Sequence, residues 1–181
     1  MFKLKQSKLA DCFELQPRVF DDDRGRFIKV FHEREFSAPS LEINSAEEYY
    51  LVSYQNVIGG IHFQLLPMDH VKVVYCVEGE VTDAVVDLRV GSHSYGQYTS
   101  FELSAAKANS IYIPKGIVHG FCVRSEQAFM CKVSTIYSPA HDAGILWKSV
   151  GIQWPTENGV LSARDQGYPT LEQFKSAFRY E

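Results

Sequence analysis

Val71-Lys72-Val73-Val74-Tyr75-Cys76-Val77-Glu78-Gly79-Glu80-Val81-Thr82-Asp83-Ala84-Val85-Val86-Asp87-Leu88 decides the fold class. Two alternating, β-branched runs flank a turn-forming glycine, and neither carries a helical period. The spacing predicts strands over 71–77 and 81–88, joined as a hairpin across Glu78-Gly79. Alternation puts Lys72, Val74 and Cys76 on one face and Val71, Val73, Tyr75 and Val77 on the other. The same signature recurs on either side. Residues 49–53, 58–66, 98–103, 110–113, 121–123 and 129–137 are short apolar runs separated by Gly, Pro, Asn and Ser clusters. A series of short strands of this kind predicts an all-β sandwich or barrel.

Toward the N-terminus, Arg18-Val19-Phe20 and Phe27-Ile28-Lys29-Val30-Phe31 bracket the turn Asp21-Asp22-Asp23-Arg24-Gly25-Arg26, and residues 32–48 read as a loop or short helix. Beyond the strands, Leu171, Phe174 and Phe178 stand at helical spacing and predict a terminal helix packed on the sheet. The chain divides into an arm of about residues 1–48, a barrel of about 49–139 and a C-terminal cap of 140–181, all in one domain. At 181 residues it can bury a substantial core without disulfides or metal.

Composition narrows the function classes. The chain is 45% hydrophobic and 22% charged, with net charge −4 and no long basic block, which argues against a nucleic-acid-binding surface. No apolar run is long enough to span a bilayer. Met1-Phe2-Lys3-Leu4-Lys5 shows no export signal, so a cytoplasmic location is expected. Cys12, Cys76, Cys122 and Cys131 are scattered singly in apolar runs, the pattern of reduced thiols rather than of a zinc site.

Gly59-Gly60-Ile61-His62-Phe63-Gln64 sets a histidine in a strand directly after a glycine pair. From these six residues alone a hydrogen-bonded core histidine and a proton carrier are both open. Lys72 reads alone as a snorkelling or edge lysine. Ile113-Pro114-Lys115-Gly116 is a tight turn that delivers a second histidine, His119, beside Gly120.

Taken in order, Asp22-Asp23-Arg24-Gly25, Gly60-Ile61-His62-Phe63-Gln64, Lys72, Gly79-Glu80-Val81, Asp83-Ala84-Val85-Val86-Asp87-Leu88-Arg89, Ile113-Pro114-Lys115-Gly116, His119-Gly120-Phe121, Tyr137-Ser138-Pro139, Gly151-Ile152 and Trp154-Pro155 resemble the dTDP-4-dehydrorhamnose 3,5-epimerase family, from about residue 19 to 169. The resemblance implies a cupin-type double-stranded β-helix (jelly roll) with short peripheral helices. It also implies a homodimer that exchanges an N-terminal strand, a nucleotide-linked 4-keto-6-deoxyhexose as substrate, and neither metal nor cofactor. A hydrogen beside a keto group is acidic because the carbonyl takes the charge as an enolate, so a base and a cation are needed. By resemblance His62 is that base, Asp165 the carboxylate that orients it, and Lys72 the cation at the enolate. His119 falls on an active-site histidine and Arg24 on a ligand of the diphosphate; Phe27, Gln64 and Tyr137 join the substrate-binding set. Asp83 and Asp87 match positions inside the barrel, where a structural hydrogen-bonding role is expected.

Three departures qualify the resemblance. Gly59 stands where the family usually has arginine. Cys131 stands where the family has its tyrosine acid, six positions before Tyr137, and two readings stay open for it: an inward-facing proton donor, alone or through a water, or simple core packing. Lys29 stands where a glutamate commonly accepts from thymine; it is either an exposed strand-edge residue or a sign that the nucleotide is CDP, since cytosine presents an acceptor at N3. The expected activity is therefore inversion at carbon 3 of a CDP-linked sugar. The alternatives are a full 3,5-epimerase on a dTDP-sugar, a metal-dependent cupin enzyme, whose ligand set Gln64 leaves incomplete, and a non-catalytic sugar-nucleotide-binding cupin.

Overall fold

The computed structural model describes residues 2–37, 41, 45–134 and 136–180, with backbone alone for Ser37 and for Gln127–Ser134. In chain order the elements are β1 (Lys3–Gln6), β2 (Phe13–Gln16), β3 (Val19–Asp22), β4 (Gly25–Ile28), α1 (Glu33–Ser37), β5 (Glu47–Tyr54), β6 (Ile58–Gln64), β7 (Lys72–Glu78), β8 (Glu80–Asp87), β9 (Tyr98–Ser104), β10 (Ser110–Ile113), β11 (Ile117–Val123), β12 (Gln127–Ser134), β13 (Asp142–Gly144) and α2 (Ala163–Gln166). Two antiparallel sheets make the body. One has six strands in the order β1-β2-β10-β7-β12-β5, the other five in the order β13-β6-β11-β8-β9, and β3-β4 forms a separate hairpin.

The fold class is as the alternation predicts, but β7 and β8 are not a hairpin. β7 pairs with β10 and β12 in the six-stranded sheet, whereas β8 pairs with β11 and β9 in the other. Gly79, at φ 77°, turns the chain out of one sheet and into the opposite one, a conformation that favours glycine. Burial explains the arrangement: every residue of β8 after Glu80 is buried, which requires cover on both faces and neighbours on both edges.

That cover comes in three layers. Between the sheets, Val74, Cys76, Ile111 and Ile113 of the six-stranded sheet meet Val81, Val85, Leu103 and Phe121 of the five-stranded one. The outer face of the five-stranded sheet carries Ile61, Phe63, Ala84, Val86 and Val118, covered by Ile145, Ile152 and Phe178. The outer face of the six-stranded sheet carries Leu15, Val73, Tyr75 and Tyr112 under Phe36 and Leu41. The period of two therefore fixes which residues face inward. His62 lies between Ile61 and Phe63 and takes the inter-sheet side; Lys72 shares the face of Val74 and Cys76.

Residues 170–180 are not the predicted helix. After a turn at Thr170, Ser176 Oγ donates to the Leu88 carbonyl and Val90 exchanges backbone hydrogen bonds with Phe178 and Tyr180. Residues 170–174 close one turn on the Thr170 carbonyl, and from Ser176 on the backbone is held extended by the chain just past β8, with Phe178 buried and Leu171 and Phe174 packed beside it.

Candidate active site

His62 stands on β6 directly opposite His119 on β11, with ring centroids 6.3 Å apart. His119 is fully buried, and its Nδ1 lies 3.0 and 3.2 Å from the two carboxylate oxygens of Asp83, itself fully buried on β8. Asp83 thus has a hydrogen-bonding place inside the barrel. Gly60 makes the close approach of β6 and β11 possible. Its φ is 97°, and a Cβ there would sit 2.9 Å from the His119 carbonyl oxygen and 3.0 Å from His62 Nδ1.

Asp165 is 3% exposed on α2, where the Ser162 hydroxyl caps the helix by accepting from the Asp165 N–H at 3.1 Å. Its carboxylate accepts from the Gly60 N–H and from Arg164 Nε, each at 3.1 Å. This ties the carboxylate to the strand two residues ahead of His62. Arg164 also reaches Asp142 at 3.0 Å, so one guanidinium holds two carboxylates; burial alone would lower it, but Tyr168, Asp165 and Asp142 together raise it.

A pocket of about 220 Å³ opens at this end of the barrel. From the five-stranded sheet it is lined by His62, Phe63, Gln64 and Asp142; from the six-stranded sheet by Glu47, Tyr49 and Lys72. His70, Tyr137 and Arg164 complete it. Lys72 is only 7% exposed. Gln64 is clamped: its Oε1 accepts from the Ser138 N–H at 2.5 Å and its Nε2 lies 3.1 Å from His70 Nδ1. The Tyr137 N–H donates to Glu47 Oε2 at 2.8 Å. Burial, and secondly the Glu47 charge, push the Tyr49 phenol up to about 12.

The sequence-predicted residues fall into three groups. His62, Lys72, Gln64 and Tyr137 line the pocket; His119 is the strand neighbour of His62, and Asp165 is bound to the Gly60 amide two residues ahead of it. Arg24, Phe27 and Lys29 do not join them within this chain. Arg24 and Phe27 lie on the β3-β4 hairpin and Lys29 just after it, all exposed, with Arg24 bound to Asp22 and Phe27 59% exposed beside Phe20. The Cys131 side chain lies outside the described residues; its backbone pairs with Tyr50 on β5 and Tyr75 on β7.

Sequence reasoning missed Glu47, Tyr49, His70, Asp142 and Arg164. Alternation along 47–54 would have sided Tyr49 with Leu51, but nothing local distinguishes a pocket wall from a core face. Among the described residues no group of three or more His, Cys, Asp or Glu side chains is placed to hold a metal ion, and no helix is long and apolar enough to cross a membrane.

Comparison with known proteins decides the family. The sequence model of dTDP-4-dehydrorhamnose 3,5-epimerase matches residues 6–173. The dTDP-4-dehydrorhamnose 3,5-epimerase of Shigella flexneri is 37% identical over 164 residues, covering 88% of this chain and 91% of its own. The chain belongs to the dTDP-4-dehydrorhamnose 3,5-epimerase family. Another member, the dTDP-4-dehydrorhamnose 3-epimerase of Streptomyces niveus, is 36% identical over 97% of this chain and 86% of its own. Among solved structures, the Legionella pneumophila 3,5-epimerase in complex with dTDP-4-keto-L-rhamnose superposes with a TM-score of 0.94 at 28% identity, covering all of both chains. The architecture is the cupin-type jelly roll of that family.

Proposed function

We propose that this member of the epimerase family inverts carbon 3 of a nucleotide-linked 4-keto-6-deoxyhexose through an enolate, without a metal. The observation that carries the reading is the convergence of His62 and buried Lys72 on one pocket from opposite sheets. A base on one wall and a cation on the other suit removal of a proton next to a carbonyl whose oxygen gathers the charge. His62 is the base, Asp165 fixes the strand that carries it, and Lys72 faces the enolate oxygen. Buried His119 with Asp83 backs the base, and Gln64 and Tyr137 border the sugar.

Restriction to carbon 3 is supported by the replacement of the family's tyrosine by Cys131 and by the existence of a 3-epimerase among the relatives. Arg24, Phe27 and Lys29 serve the pocket of a second copy: their hairpin exposes Phe20 and Phe27 and stands apart from the pocket of its own chain, which suits a homodimer with exchanged arms. Lys29 favours CDP over dTDP. A nucleotide-sugar substrate fits a cytoplasmic enzyme.

The test is incubation with CDP- and dTDP-linked 4-keto-6-deoxyglucose in deuterated water, followed by NMR. Label at carbon 3 with inversion is expected. Equal labelling of carbons 3 and 5 contradicts the restriction to carbon 3, tighter binding of dTDP than of CDP contradicts the nucleotide assignment, and monomeric protein in solution contradicts the arm exchange.

A further inference from the structure

We propose that Tyr49 is the acid of this reaction, its phenol delivering a proton to the substrate carbon on the face opposite His62. The assignment rests on the epimerase reading above. Inversion needs two groups, because a base that returns its proton to the face it came from restores the starting sugar. The base stands on β6, so the donor has to come from the facing wall, the inner surface of the six-stranded sheet. That sheet contributes Glu47, Tyr49 and Lys72 to the pocket. Lys72 is the cation for the oxygen, and the Glu47 carboxylate accepts from the Tyr137 amide. Tyr49 brings the hydroxyl.

Its direction follows from β5. Tyr50, Val52 and Tyr54 are 66%, 46% and 67% exposed, while Leu51 packs against the inter-sheet core, so Tyr49 shares the inner side with Leu51. Burial and the neighbouring Glu47 charge push the phenol up to about 12, so it stays protonated into the alkaline range as well. Tyr137 also lines the pocket, but it is half exposed and follows β12 in a loop.

The proton count closes. His62 takes the hydrogen from carbon as a proton, and the C–H electron pair becomes the enolate double bond as the carbonyl oxygen takes the charge beside Lys72. The enolate carbon then forms a new C–H bond with the Tyr49 proton while the carbonyl re-forms. Imidazolium and phenolate remain, and transfer of one proton between them through solvent resets both groups.

Tyr49→Phe keeps the ring and removes the hydroxyl. With the keto-sugar nucleotide that the native enzyme turns over in deuterated water, the variant is expected to exchange substrate hydrogen within about 3-fold of the native rate while inverted product falls about 10²-fold. Inversion at the native rate overturns the assignment. So does equal loss of exchange and inversion, which makes Tyr49 a binding residue, and so does a Cys131→Ala or Tyr137→Phe variant that uncouples the two steps in its place. A native enzyme that exchanges no hydrogen overturns the epimerase reading and this assignment with it.

Discussion

His119 Nδ1 lies 3.0 Å from Asp83 Oδ2 with both residues fully buried, and the partner of His119 on β6 is His62. A charged or strongly polar pair sealed in the barrel depends on both members. Asp83→Ala is expected to lower stability by about 3 kcal/mol, in line with breaking a buried pair, and Asp83→Asn, which keeps an acceptor, by clearly less. Urea denaturation of the two variants checks the order.

Gly59 has a physical reason in this chain. A Cβ at residue 59 would lie 2.5 Å from the ring of Phe121, which is 3% exposed in the inter-sheet core. The space above the strand is filled by the ring. Gly59→Arg should therefore cost about 1–3 kcal/mol by overpacking, and the double variant with Phe121→Leu should recover part of it. Thermal unfolding of the three proteins measures this.

Asp87 predicts the acid behaviour of the fold. Burial alone would raise its carboxyl, but hydrogen bonds from Arg89, Ser92 and Ser94 outweigh burial and hold it below the usual carboxylate range. A carboxyl with a depressed folded-state pKa contributes its stability above the unfolded value of ~3.9 and loses it as pH falls through the folded-state value. Asp87→Asn is expected to lose about 3 kcal/mol at neutral pH and to show a flatter fall in stability below about pH 4 than the native chain. Stability measured as a function of pH checks both.

The alkaline limb of the rate profile separates phenol from thiol. An acid catalyst works protonated, so its activity falls as pH rises through its pKa. Tyr49, pushed up to about 12, sits among Glu47, His62, Lys72, Asp142 and Arg164 in the pocket. With Tyr49 as the acid, kcat at carbon 3 stays level between about pH 8 and 10; a thiol near its reference of ~8.5 produces a decline there.

Much of this was legible in the sequence, for identifiable reasons. The period of two along 71–88 sorted Lys72 with Val74 and Cys76, and that sorting is the one by which Lys72 reaches the inner face. The pairing of β7 was not legible, because a glycine turn with alternating flanks has the same local chemistry whether it closes a hairpin or crosses between sheets. The terminal segment misled for a related reason: Leu171, Phe174 and Phe178 do pack on one cluster, but the partners that hold residues 176–180 extended, Leu88 and Val90, lie far back in the chain. His62 and Lys72 were found because their residue types and order carry a family signature. Glu47, Tyr49, His70 and Arg164 were missed because only the joining of distant strands makes them neighbours.

In the proposed reaction His62 removes a carbon-bound proton with Lys72 facing the resulting charge. Deuterium wash-in at carbon 3 of a nucleotide-linked 4-keto-6-deoxyhexose, followed by NMR for the native enzyme, His62→Asn and Lys72→Met, tests it most directly. Incorporation is expected for the native enzyme, with a loss of about 10²–10⁴-fold in His62→Asn and about 10²-fold or more in Lys72→Met. Incorporation at the native rate in His62→Asn would contradict it.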